Sequence, residues 1–125
     1  MKVLIIDDSA LMRKMVSRSL RQADIGSVET CEAANGVEGL DMFAKENPTL
    51  VLCDWNMPEM DGITFLRNLR EKSKVPVIML TTEASSERRQ EAIKSGANGY
   101  VTKPFTPEKL GASIRAVLAG AVEEE

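Results

Sequence analysis

The sequence contains no histidine. Without an imidazole there is no Ser-His-Asp or Cys-His constellation, no histidine-ligated zinc and no residue able to carry phosphohistidine. Proton or phosphoryl chemistry in this chain therefore has to run on carboxylates, lysine, threonine or a metal ion. Cysteine is scarce as well. Cys31 and Cys53 form neither a CxxC nor a metal-ligand spacing, and Cys53 closes an apolar run, so reduced thiols are expected. Long apolar runs are missing: none approaches the roughly 18 residues of a membrane span. The first, Val3 to Ile6, meets Asp7-Asp8 too early to act as a signal peptide, and a cytoplasmic protein without a membrane partner is expected. An excess of positive charge is missing too. The 16 basic and 19 acidic side chains leave a net charge of -3, with the basic residues scattered, which argues against a nucleic-acid partner.

What is present fits one compact domain. At 125 residues the chain buries roughly two-thirds of the surface its unfolded form exposes, so a core forms without staples. The domain is expected over residues 1–122, followed by a solvated acidic tail, Glu123 to Glu125. Short, mostly apolar runs occur at Val3 to Ile6, Val28 to Ala33, Thr49 to Cys53, Val75 to Leu80 and Gly99 to Val101. Such runs suit strands buried on both faces of a parallel sheet.

Between them apolar residues recur at helical spacing: Leu11, Met12, Met15, Val16 and Leu20, then Val37, Leu40 and Ala44, then Ile63, Leu66 and Leu69, and finally Leu110, Ile114, Val117, Leu118 and Ala121. Start signals stand at Asn35 with Glu38 three residues on, at Asp61, and at Thr106 before Pro107; stop signals stand at Gly26, Pro48 and Gly96. The segment Ser85 to Ser95 offers only Ala92 and Ile93 as apolar anchors, so its helix is expected to be the least firmly held. Five strands alternating with five helices predict an α/β, doubly wound, open sheet.

In such a sheet ligands bind beyond the carboxyl ends of the strands. The first run there ends in Asp7-Asp8, the third in Asp54-Trp55-Asn56, the fourth in Thr81-Thr82, and the fifth leads into Thr102-Lys103-Pro104. Singly, each reads as a solvated turn or a surface charge. Gathered on one edge, three carboxylates about 4 Å apart repel by about 4 kcal/mol per pair at an effective dielectric of about 20, so a compensating cation is required. Lys103 supplies one, and an all-oxygen donor set points to Mg²⁺ or Mn²⁺ as another. A carboxylate nucleophile, a bridging ion, and Thr81 and Lys103 as fixed donors together make a phosphoryl site.

The segments VLIIDDS, DWNMPEMDG, PVIMLTTEA and GYVTKPF, in this order and spacing, resemble the receiver domain of two-component response regulators, in particular the stand-alone chemotaxis type, from Val3 to about Leu118. The resemblance implies a flavodoxin-like sheet of order 2-1-3-4-5. It implies Asp54 as phosphoacceptor, and Mg²⁺ held by Asp8, Asp54 and the backbone carbonyl of Asn56, with Asp7 on a metal-bound water. It implies Lys103 on the phosphoryl oxygens before a cis Pro104, Thr81 and Tyr100 as the moving switch pair, and Asn56 and Glu83 as positions that tune hydrolysis of the acyl phosphate. That sheet order also sets Cys31 and Cys53 on strands about 10 Å apart, too far to bridge. Trp55 fits either a partly exposed packing residue or a contact near the phosphoryl site.

The implied partners are a histidine kinase as phosphodonor, an output protein on the face of the fourth helix, fifth strand and fifth helix, and a phosphatase; the chain itself is expected to be monomeric and to turn over no external substrate. Ser85-Ser86 stand where chemotaxis relatives often carry basic residues. The competing readings are a receiver module from a multidomain regulator or hybrid kinase, an Asp-nucleophile phosphatase, and a flavodoxin-like carrier. The Met before the first strand and the acidic end favour a free-standing protein, no DxD supports the phosphatase, and Asp7-Asp8 would repel an FMN phosphate.

Overall fold

A computed structural model describes residues 1–120, so Ala121 and the acidic segment Glu123 to Glu125 lie outside the described residues. Strands and helices alternate as β1 (Lys2–Ile6), α1 (Ala10–Gln22), β2 (Glu29–Ala33), α2 (Gly36–Glu46), β3 (Leu50–Cys53), α3 (Gly62–Arg70), β4 (Val77–Thr81), α4 (Ser86–Lys94), β5 (Gly99–Thr102) and α5 (Pro107–Leu118). The strands form one parallel sheet of order β2-β1-β3-β4-β5. Both the α/β class and this order match the expectation.

Alternation along the strands divides the core between the two faces of the sheet. Val3 and Ile5 join Leu50, Leu52, Ile78 and Leu80 beneath Val16 and Leu20 of α1 and Leu110, Ile114 and Val117 of α5. Leu4 and Ile6 face the other way, with Val51, Cys53, Met79 and Tyr100, against α3 residues Ile63, Phe65, Leu66 and Leu69 and Ala92 of α4. The three central strands are therefore continuous apolar runs, as a doubly covered sheet demands. Cys31 pairs with Leu4 and Cys53 with Ile6 on opposite sides of β1, and both thiols are free.

Every helix carries a side-chain N-cap: Ser9, Asn35, Asp61, Ser85 and Thr106 each accept from the backbone N–H three residues on. Each cap is worth about 1 kcal/mol and fixes where its helix begins relative to the preceding strand end.

The observed ends differ from the expected ones where local bonding overrides composition. β4 begins at Val77 rather than Val75, because the Val75 N–H bonds to Ser73 Oγ, and Pro76 has no N–H to give the ladder. α1 stops at Gln22, where Ala23 turns extended, before the left-handed Gly26 at φ 83. Asn47, not Pro48, makes the left-handed cap of α2 at φ 50. Four residues of the helical stripes, Leu11, Met15, Val37 and Leu118, are exposed. The weak anchoring expected of α4 is observed: Ala92 is its one buried residue, with Ile93 only partly buried. Among the described residues no helix is long and apolar enough to cross a membrane.

Candidate functional site

Parallel strands bring their carboxyl ends to one edge, and four side chains meet there. Asp7 follows β1, Asp54 follows β3, Thr81 ends β4 and Lys103 follows β5. Backbone bonds hold this edge in register: the N–H of Asp7 donates to Ala33, that of Asp54 to Ile6 at 2.9 Å, and that of Lys103 to Thr81 at 2.9 Å. The site is thus a continuation of the ladder and inherits its rigidity.

Lys103 Nζ donates to Asp7 Oδ2 at 2.7 Å and to Asp54 Oδ2 at 3.1 Å. The three side chains are only 9%, 6% and 13% exposed in turn, so the contacts are shielded from solvent. Burial works to lower the lysine pKa, but the bond to Asp7 and the charge of Asp54 outweigh it and hold the ammonium above its ordinary value. The remaining oxygens are also engaged. Asp7 Oδ1 accepts from the Ser9 N–H at 2.9 Å, and Asp54 Oδ1 from the Trp55 N–H at 2.7 Å.

Asp8 completes the cluster. Ligand oxygens of Asp7, Asp8 and Asp54 all lie within 4.8 Å of one another, and Asp8 alone is exposed. The donor set is all oxygen, and Asp8 has no hydrogen-bond partner among the described residues, so this carboxylate is available to an incoming cation. A hard divalent ion fits that chemistry.

Around the acids lie the other residues singled out in the sequence. Thr81 is fully buried, and its Oγ1 accepts from the Glu83 N–H at 3.2 Å. Asn56 Nδ2 donates to Glu83 Oε2 at 2.8 Å, tying the loop after β3 to the loop after β4. The Lys103–Pro104 peptide bond is cis. Tyr100 lies inside: its ring is 3% exposed, and its hydroxyl donates to the Glu83 carbonyl. Burial, then the charge of Glu83, push its pKa up to about 12. Burial also holds the Cys53 thiol well above its ordinary value, which leaves it protonated and unreactive.

Trp55 is a correction to the partly exposed alternative, because it is 3% exposed and packs in the core below α3. Three features gave no sequence signal, and a fourth, a glycine, gave only a faint one. Arg88 stacks on the Trp55 ring and Arg89 on the Tyr100 ring, each 4.9 Å from the centroid. Arg13 donates to the Asp7 carbonyl at 2.6 Å and to Glu32 at 2.7 Å, bracing the acidic turn from α1. Gly62 abuts the loop after β3 so closely that a Cβ there would lie 2.0 Å from the Asp54 carbonyl oxygen. Helix arginines are ordinarily read as solvated charge, and a single glycine in a loop as a turn. A glycine following the N-cap Asp61, where helix start signals ask for no glycine, was the one available hint.

The fold and the acidic edge define a response regulator receiver domain, and the chain belongs to that family, which matches residues 3–115. Chemotaxis proteins stand among its relatives. The chain is 38% identical over 122 residues to the chemotaxis protein CheY homolog of Campylobacter jejuni, covering 94% of this chain and 92% of that one. It is 45% identical over 113 residues to CheY-3 of Vibrio cholerae, covering 88% and 85%. Among solved structures, chemotaxis response regulator CheY4 of Vibrio cholerae superposes with a TM-score of 0.82 at 39% identity, covering 93% of this chain and 97% of the other.

Proposed function

We propose that the protein is a chemotaxis-type phosphorylation switch in the cytoplasm, with Asp54 as phosphoacceptor. The observation that carries this reading is the pairing of Lys103 with both Asp7 and Asp54 beside an exposed Asp8. Asp8, Asp54 and the backbone carbonyl of Asn56 would hold Mg²⁺, or Mn²⁺, with Asp7 reaching it through water. When bound, the ion neutralises charge on the phosphoryl oxygens.

In the step itself, an Asp54 carboxylate oxygen attacks phosphorus, the bond from phosphorus to the donor breaks, and its electron pair leaves with the donor. Because the chain holds no histidine, a phosphohistidine donor has to reside on another protein, a histidine kinase. The Trp55 N–H fixes one Asp54 oxygen and Lys103 orients the other. After transfer, Lys103 is free to pair with the phosphoryl oxygens.

The signal arises from a contact that the unmodified chain lacks. The Thr81 hydroxyl can donate to a phosphoryl oxygen, and turning toward it weakens the bond it now accepts from Glu83. Tyr100 hangs from the Glu83 carbonyl, so the displacement passes to the loop before α4, with the ring already inside. Output then changes on the face of α4, β5 and α5. Asn56 and Glu83 tune the hydrolysis that resets the switch, alone or with a phosphatase, and the working unit is a monomer.

Incubation with a small phosphodonor and Mg²⁺ tests the assignment. Label with the lability of an acyl phosphate to both acid and base is expected on the parent protein and absent from Asp54→Asn. Equal labelling of that variant overturns Asp54 as acceptor.

A further inference from the structure

Arg88 lies in the first turn of α4, its backbone N–H bonded to the Ser85 cap. Its guanidinium makes two contacts on the side of the acidic edge. The plane covers the Trp55 ring at 4.9 Å, and Nε lies 3.8 Å from Glu83 Oε1. The other Glu83 oxygen accepts from Asn56 at 2.8 Å, and the Trp55 N–H holds the Asp54 carboxylate. A closed circuit therefore runs from the acceptor through Trp55, Arg88, Glu83 and Asn56 back to the acceptor's own loop. Four of its five members stand on loops after β3 and β4; Arg88 alone comes from the weakly anchored helix.

We propose that Arg88 is a positioning residue for loss of the phosphoryl group, fixing Glu83 against Asn56 across the approach to Asp54. The inference rests on the phosphoacceptor reading above. In hydrolysis a water oxygen bonds to phosphorus, and the bond from phosphorus to Asp54 breaks. Its electron pair returns to the carboxylate, and inorganic phosphate and a proton leave. The water has to arrive opposite the breaking bond. A carboxylate clamped between an amide and a guanidinium obstructs that path, whereas one released from Arg88 samples other rotamers and clears it.

The guanidinium suits both contacts, since its flat face stacks on Trp55 while its charge attracts the Glu83 carboxylate from the edge. Because Arg88 also meets Glu91 Oε1 at 3.5 Å on the outer surface of α4, a partner that engages this helix would draw Arg88 away and shorten the phosphoryl lifetime.

The test is a double-mutant cycle on the full chain, tracking decay of label on Asp54 after the phosphodonor is removed. Arg88→Ala should accelerate decay about two- to fivefold, the range for a partly exposed charge and stacking contact. In a Glu83→Ala background the same substitution should change it by less than about 1.5-fold, the additivity expected when the partner is gone. Arg88→Lys, which keeps charge without the flat stack, should alter emission of the only tryptophan, Trp55, and recover part of the lifetime. Acceleration of equal size in both backgrounds means that Arg88 merely stabilises α4 and overturns the proposal, as does an unchanged lifetime. Label retained by Asp54→Asn would instead overturn the acceptor reading, so the two failures are distinguishable.

Discussion

Replacing Lys103 with methionine removes the one cation that separates Asp7 from Asp54 while keeping most of the side-chain volume. Its Nζ contacts, at 2.7 and 3.1 Å, correspond to about 5 to 6 kcal/mol of gross attraction each at an effective dielectric of about 20. Carboxylate oxygens no more than 4.8 Å apart repel by at least about 3.5 kcal/mol per pair on the same scale. Desolvation offsets most of the attraction, and removing one partner from a buried pair typically costs about 3 to 5 kcal/mol. With exposed Asp8 beside the pair, water relieves some of this, and we expect a loss of about 2 to 4 kcal/mol. Urea unfolding in the presence of a chelator reads it as a midpoint lowered by on the order of 1 to 2 M. Millimolar Mg²⁺ should restore part of the loss, because a bound cation replaces the missing charge. Adding Asp54→Asn to Lys103→Met should also restore part, by removing one repelling charge. A Lys103→Met midpoint equal to that of the parent would refute the electrostatic account, as would a double variant no more stable than the single.

Tyr100, the only tyrosine, should titrate with a midpoint near 12, read by near-ultraviolet phenolate absorbance. An unfolded tyrosine ionises near 10, so between pH about 10 and 12 the unfolded chain has released a proton that the folded chain still holds. Stability contributed by the buried phenol is therefore complete below pH 10 and lost as pH rises to 12, by about 2 to 3 kcal/mol; a folded-state midpoint near 10 would contradict the burial. Gly62→Ala places a Cβ 2.0 Å from the Asp54 carbonyl oxygen, which only a backbone shift can relieve. We expect at least about 1 to 3 kcal/mol of destabilisation together with slower phosphoryl uptake by the folded fraction, and parent-like values of both would show that α3 moves aside freely.

The sheet was legible because its three central strands are covered on both faces. Val3 to Ile6 and Leu50 to Cys53 have no polar residue to interrupt them, and the residues just past each run fall on the ligand-binding edge by topology alone. Asp7, Asp54, Thr81 and Lys103 could be brought together on that ground before any distance was known. The strand order came instead from resemblance to receiver domains. Arg88 and Arg89 escaped notice because helical position gives no information on whether a long cationic side chain bends outward to water or back over a ring. The burial of Trp55 was equally hidden, since it depends on how α3 packs through Gly62. The start of β4 was misplaced because Val75 bonds to Ser73 and Pro76 has no N–H, local effects that apolar periodicity does not register.

The manner in which α4 is attached bears on the size of signal needed to move it. The sheet-facing helices α3 and α5 bury several large aliphatic residues each, whereas α4 buries Ala92 and is otherwise held by Ile93, ion pairs and two stacked arginines. A stacked arginine at a partly exposed site contributes about 0.5 to 1 kcal/mol, and an exposed ion pair such as Arg67 with Glu91 less than about 1. A new hydrogen bond from Thr81 to a charged phosphoryl oxygen is worth about 1.5 to 3 kcal/mol. One such bond therefore matches the combined hold of both arginines, while it would be far too small to displace a helix anchored as α3 is by Phe65, Leu66 and Leu69. The low apolar content of Ser85 to Ser95 sets the stability of that helix within reach of the single phosphorylation proposed at Asp54.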